Sequence, residues 1–345
     1  MTGNTPTLAK RRLVVQNLDD LVEIQVPSAN AGTAIAVATC RARNLDLPTW
    51  CAGRRAQLLD LRQHHGGVLL RGFDVGGAEG LRRVMLALGD QPMPYVERSS
   101  PRTRVGDDVY TSTEYAASQT ILPHSENSYA NHWPLHVAFH CRVPASQGGE
   151  TPIADCRRVL ASLDPGVVAE FRARGIRYVR NFHPGLGLSW NEVFGVQTRA
   201  EIEEYCKRAQ YGYQWTADDV LRTWRTAPAV VLHPVTGEPT WFNHGAFFHV
   251  SSLPAEISAG LLQRHSPESL PNQTFFGDGG AIDPQVVTAI LDAYRANSLA
   301  FPWMPEDLLL LDNMLMAHGR APYAGPRSVL VVMSDRIEAT AVDRW

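Results

Sequence analysis

From residue 109 to residue 155 the chain is a string of short strand-type segments separated by turns, and nothing else in it constrains the fold as tightly. Residues 109–115 alternate like a strand, residues 121–127 run from an apolar start into a polar loop, and residues 136–143 read as a third strand. Gln147, Gly148 and Gly149 then make a tight turn into 150–155. Short strands in series of this kind point to a sandwich or barrel of jelly-roll type. Strand patterns return at 308–311, 314–318 and 328–334. The β core is therefore expected to draw its strands from distant parts of the chain.

Helical patterns surround these strands. Trp50, Leu58, Leu59 and Leu61 fit a helix over 49–64, closed by His65, Gly66 and Gly67. Leu81, Val84, Met85 and Leu88 fit a second over 80–88. Residues 157–174 read as helix with a break at Asp164 and Pro165, and Thr198 with Glu201 three residues on opens another. Residues 230–244 read as a hairpin, and 254–265 and 284–297 as helices. No internal repeat or low-complexity linker divides the chain. The expected organisation is a flexible N-terminus over 1–20 and a single domain over 21–345, with a helical insertion at about 157–225 and helices within about 254–297. The basic run Lys10, Arg11 and Arg12 is expected to be solvated surface.

Composition excludes some function classes. A length of 345 residues suffices for a sizeable core. With 19% charged residues and a net charge of −3 there is no basic patch to suggest nucleic acid. No run reaches the ~18 apolar residues of a membrane span, and no signal segment opens the chain. The five cysteines form no C-x-x-C pair, and their odd count argues against a closed disulfide framework. They are read as reduced thiols of a cytoplasmic protein.

The chemistry concentrates at His124 and Glu126. On a strand, residues two apart leave the same face, so an imidazole and a carboxylate would share one space. They supply two of the three ligands of a facial triad, which leaves open positions on iron(II). The candidate third ligand is His318, near the end of a late strand that can lie beside the His124 strand. Nine residues further, Arg327 enters the apolar strand 328–333, where a buried guanidinium needs a counter-charge. A dicarboxylate would serve it. Thr151, just past the double-glycine turn, can add a hydroxyl hydrogen bond. His132, His136 and His140 recur at a spacing of four, but Pro134 breaks any helix that would align them as ligands.

Taken together, these motifs resemble the taurine dioxygenase (TauD/TfdA) family. The residues that carry the likeness are His124-x-Glu126, the run from Gly148 through Glu150, Thr151, Pro152 and Ile153 to Asp155, Asp312-Asn313 with His318-Gly319-Arg320, and Arg327. The run 111–115, the run 233–244 and the segment Phe275-Phe276-Gly277-Asp278-Gly279 resemble its SyrP-like branch, associated with nonribosomal peptide biosynthesis. The likeness extends from about Val68 to Asp335. It implies a mainly β fold with flanking helices on a double-stranded β-helix (jelly-roll, clavaminate-synthase-like) core. It implies Fe(II) bound by His124, Glu126 and His318, and 2-oxoglutarate as cosubstrate, its far carboxylate held by Arg327 and Thr151. With O2, such enzymes convert 2-oxoglutarate to succinate and CO2 and oxidise an unactivated C–H bond. The larger family commonly has Asp where this chain has Glu126; the resembling branch and the amino-acid β-hydroxylases use Glu. Because a carboxylate is retained there, the chain does not look like the related halogenases, which have a small residue at that position.

The resemblance implies an oxidoreductase of specialised metabolism such as antibiotic biosynthesis, hydroxylating an amino acid, free or tethered to a carrier protein, at its β-carbon. Glu114, Asn127 and Trp241 are the candidate substrate contacts. Desaturation, epoxidation or cyclisation by the same iron chemistry would use identical ligands. A silent metal-binding relative would be free to lose one of His124, Glu126, His318 and Arg327. A zinc hydrolase with the same triad would not need Arg327.

Overall fold

The computed structural model describes residues 21–28, 32–42 and 45–345. The expected flexible N-terminus and the Lys10–Arg12 run lie outside the described residues. The backbone of the fold is an eight-stranded sheet. Its strands, in spatial order, are Val22–Gln25, Ala36–Cys40, Gly67–Arg71, Leu308–Asp312, His132–Val143, Ser328–Glu338, Val109–Thr111 and Arg104–Gly106. All neighbours are antiparallel except Ala36–Cys40 with Gly67–Arg71. A smaller sheet faces it, ordered Ser298–Leu299, Ile153–Asp155, Met316–Arg320, Ile121–His124. These two sheets form the jelly roll expected from the strand pattern.

The strand Leu308–Asp312 explains how the layers stack. It is buried on both faces, as its unbroken run of leucines requires. Alternate side chains leave opposite faces of a strand. Leu308 and Leu310 join Val68, Leu70, Ala138 and Leu330 in a core shared with the helices, while Leu309 and Leu311 join Phe139, Ile153, Met316 and Val331 between the sheets. The helices on the outer face are Leu47–Gly53, Arg55–His65 and Gly77–Leu88. The last buries Leu81, Val84, Met85 and Leu88, one apolar stripe at helical spacing. The expected helix over 49–64 is interrupted at Arg54, whose backbone leaves the helical region, and Asp46 caps the first segment by accepting from the Thr49 backbone.

Two expectations need correction. The segment 157–225 is only partly helical. After the helices Cys156–Ser162 and Pro165–Arg174, three strands, Ile176–Phe182, Gly212–Trp215 and Leu221–Ala227, form a further sheet with Asn272–Phe276. That last strand lies between the two expected helices, which form as Ala255–Arg264 and Pro284–Ala296. The strand pattern at 109–115 stops at Thr111. Beyond it, Thr113, Tyr115, Ala116 and Gln119 give their carbonyls to the guanidinium of Arg320 instead of to a neighbouring strand. The five cysteines are all buried and unpaired. No helix among the described residues is long and apolar enough to cross a membrane.

Candidate active site

His124 ends its strand, and His318 is its direct partner on the neighbouring strand of the small sheet. Gly319 allows this close pairing, since a Cβ there would meet the Ile121 carbonyl oxygen at 2.6 Å. Glu126 lies past the strand end, in a turn, so strand alternation alone does not aim it. Asn313 does: its Oδ1 accepts from the Glu126 backbone N at 2.7 Å, and its Nδ2 donates to the carbonyl oxygens of Glu126 at 3.0 Å and Pro134 at 2.8 Å. One ligand atom from each of His124, Glu126 and His318 falls within 4.8 Å of the others, and all three residues are buried. His318 Nε2 is 3.4 Å from Glu126 Oε1.

The protonation states suit a metal. His124 Nδ1 donates to the Leu122 carbonyl at 2.8 Å, which leaves the Nε2 lone pair free. Burial, and then the neighbouring His318, push the His124 imidazole down to about 4. Burial alone would raise the carboxyl of Glu126, but Arg102 and His318 outweigh it and hold that group well below its ordinary value. A neutral imidazole beside an ionised carboxylate is the donor set a divalent cation requires. Phe139 packs its ring 4.8 Å from that of His318, and Phe247 packs 4.9 Å from that of His124. These contacts fix the imidazole planes.

Arg327 and Thr151 line the same pocket as His124 and His318. Arg327 donates from Nε to the Gly149 carbonyl at 3.0 Å and from Nη1 to Ser112 Oγ at 3.3 Å. Gly149 sits at φ 78°, and a Cβ there would press on the Arg327 side chain at 3.1 Å, so the double-glycine turn is what lets the guanidinium lie against it. Thr151 Oγ1 accepts from the Trp303 indole at 3.2 Å, which leaves its own proton free to donate. Burial and the adjacent Arg320 lower the pKa of Arg327. An anion placed there would relieve both effects.

The three candidate substrate contacts separate. Asn127 follows the ligand Glu126 and is buried at φ 55°, with Nδ2 donating to the Val96 carbonyl and Oδ1 without a partner, but it is not among the residues that line the pocket. Nor is Glu114, which is exposed and accepts from the Thr111 hydroxyl at 2.7 Å. Nor is Trp241, which is fully buried in the core, edge-on to Phe171 at 5.3 Å. The spaced histidines take separate partners: His140 with Glu306, His136 with Asp335, and His132 near Glu97. Beside His136 a second group, Asp90 with His136 and Asp335, is close enough for a cation, but Arg62 already holds Asp90 through two hydrogen bonds. Arg102 joins the site without a sequence signal. It forms a buried ion pair with Glu126 across 24 positions of sequence, which no local pattern signals. A larger cleft bounded by Glu97, His132, Tyr205 and Arg336 contains no ligand of the triad.

Comparison with known proteins accords with this geometry. The family model described as taurine catabolism dioxygenase TauD, TfdA family matches residues 31–333. The chain belongs to this family. It is an iron(II)- and 2-oxoglutarate-dependent dioxygenase on a jelly-roll core. A relative, the dapdiamide synthesis protein DdaC of Enterobacter agglomerans, is 38% identical over 282 residues, covering 82% of this chain and 86% of that one. Two solved structures share the fold. PvcB, an Fe, alpha-ketoglutarate dependent oxygenase from an isonitrile synthetic pathway, superposes with a TM-score of 0.53 at 17% identity, covering 99% of this chain and 98% of its own. An asparagine oxygenase in complex with Fe(II), 2S,3S-3-hydroxyasparagine and succinate superposes with a TM-score of 0.53 at 14% identity, covering 84% and 82%.

Proposed function

We propose that this dioxygenase hydroxylates an amino acid, free or tethered to a carrier protein, at its β-carbon. The observation that carries the reading is the convergence of the His124, Glu126 and His318 donor atoms on the pocket that Arg327 and Thr151 line. In this reading His124, Glu126 and His318 hold Fe(II), which supplies the oxidising chemistry with O2 when bound. Arg327 grips the far carboxylate of 2-oxoglutarate with its planar fork, and the Thr151 hydroxyl adds one hydrogen bond. Phe139 and Phe247 keep water from the ligand face. The amino-acid part of the reading draws support from the similarity to a dapdiamide synthesis protein and from the hydroxyasparagine bound by an enzyme of the same fold.

The test is succinate formation by anaerobically iron-loaded protein given 2-oxoglutarate and O2. Free amino acids are offered first, then the same acids on a carrier domain, with product mass read in parallel. Succinate with a product heavier by one oxygen is the expected result. A product lighter by two hydrogens would replace hydroxylation with desaturation.

A further inference from the structure

The pocket holds more positive charge than the triad and 2-oxoglutarate can neutralise. Three guanidinium groups line it: Arg102, Arg320 and Arg327. Among the described residues the only carboxylate in direct contact with any of them is Glu126, on Arg102. Iron(II) and the 2-oxoglutarate dianion cancel each other, so three guanidiniums against one carboxylate leave a surplus of two positive charges. Buried charge without a partner is costly, and such sites are normally completed by an anion.

Arg320 and Arg102 differ in how their donors are used. Arg320 spends its Nη1 and Nη2 donors on four backbone carbonyls and serves as a loop clamp. Arg102 is buried to 7% exposure, and its guanidinium lies 4.7 Å over the ring of Tyr95, which fixes its plane. It gives Nη2 to Glu126, while Nε and Nη1 have no acceptor. A fixed, dehydrated fork with unused donors beside the metal carboxylate is a receptor for a second carboxylate.

We infer that Arg102 receives a side-chain carboxylate of the substrate, which makes the substrate class an acidic amino acid. This rests on the oxygenase reading above. A free neutral amino acid is a zwitterion and brings no net charge. One tethered through its carboxyl brings only an ammonium and adds to the surplus. A side-chain carboxylate lowers the surplus by one charge in the free form, and in the tethered form it cancels the ammonium; in both it gives the unused Arg102 donors an acceptor. It would share the Arg102 fork with Glu126, which places the adjacent carbon close to the metal ligands.

The experiment is anaerobic calorimetry on the iron(II)- and 2-oxoglutarate-loaded protein. The probes are aspartate, glutamate, asparagine and glutamine, free and as pantetheine thioesters. In at least one acid–amide pair the acid should bind about tenfold or more tightly than its amide, the scale of one hydrogen bond to a charged group. Because Arg102 also pairs with the ligand Glu126, the variants are compared at iron content matched to the parent; there Arg102→Gln should bring that ratio near one while changing 2-oxoglutarate affinity less than about threefold, and Arg102→Lys should restore part of the preference. Equal affinity of acid and amide, or no binding by any acid, overturns the inference, and this arm needs no variant. So does a preference that survives Arg102→Gln. A tenfold loss of 2-oxoglutarate affinity in that variant also overturns it, because the guanidinium would then serve the cosubstrate. Failure of the loaded protein to develop its iron-to-2-oxoglutarate charge-transfer band would instead sink the oxygenase reading.

Discussion

Arg327 uses different atoms for its two tasks. Nε and Nη1 tie it to the Gly149 carbonyl and to Ser112, and Nη2 is uncommitted among the described residues. In the proposed role, Arg327→Ala removes the guanidinium that grips the far carboxylate of 2-oxoglutarate. Truncating one partner of a buried charged pair costs about 2–5 kcal/mol, so 2-oxoglutarate binding should weaken ~30-fold or more. Arg327→Lys keeps the charge without the fork and should recover only part of it. Titration of the iron(II) charge-transfer band measures both, and unchanged affinity in the alanine variant would remove Arg327 from the site. These residues were legible in the sequence because each breaks a local rule: a histidine and a carboxylate two apart, an arginine leading an apolar strand. Arg102 breaks none, since it sits among polar neighbours and its partner is a turn away in space but 24 residues away in sequence. Trp241 was misplaced because an aromatic residue in a hairpin reads equally as pocket wall or core; contact with Phe171 decides for core.

At the level of elements, the connection from Leu308–Asp312 to Met316–Arg320 carries the chain from the large sheet to the small one. Asp312 holds it by accepting from the backbones of Met314 at 2.9 Å and Leu315 at 3.0 Å. It also accepts from His233 Nε2 at 2.9 Å, and His233 Nδ1 in turn accepts from Val235 and Thr236, which ties the 231–240 hairpin to the crossover. Asp312→Ala leaves several buried groups without partners and should lose about 3–5 kcal/mol in urea unfolding of the metal-free protein. Asp312→Asn keeps an acceptor and should lose less. Equal losses would mean that the charge rather than the acceptor matters. His249 sets a second expectation. Burial pushes its imidazole down to about 4, and Nδ1 caps the turn Val250–Ser252 by accepting from the Ser251 backbone. An unfolded histidine takes its proton near pH 6.5, so below that value the unfolded chain binds more protons. The stability due to neutral His249 is therefore complete above pH 6.5 and is lost as the pH falls toward 4. His249→Asn caps without titrating and should lose less stability between pH 6.5 and 4, by at most ~3 kcal/mol, read from urea midpoints at the two ends. The strand Leu221–Ala227 escaped the sequence reading because Arg222, Thr223, Trp224, Arg225 and Thr226 give no apolar alternation; the sheet it joins is assembled from distant segments.

Across the whole molecule the triad sits where the two sheets of the jelly roll are joined. His124 and His318 belong to the small sheet, while Glu126 is clamped by Asn313 in the crossover from the large one. A cation bound to all three cross-links the strand Ile121–His124, the turn after it and the strand Met316–Arg320. The cosubstrate would add a second link, because Arg327 opens the strand Ser328–Glu338 of the large sheet and Thr151 precedes the strand Ile153–Asp155 of the small one. A ligand that binds only the folded state stabilises it by about 2.7 kcal/mol at one hundred times its Kd, which for a chain of this size raises the melting temperature by a few degrees. Metal and 2-oxoglutarate should therefore act in sequence. Iron(II), or manganese(II) in air, should raise the melting temperature, and 2-oxoglutarate should raise it further only when metal is present. Glu126→Gln should lose both increments, because an amide gives the metal no charge. Arg327→Ala should keep the metal increment and lose most of the second. A 2-oxoglutarate shift of equal size in metal-stripped protein would mean that the dicarboxylate binds Arg327 without the metal, and that the two links between the sheets form independently.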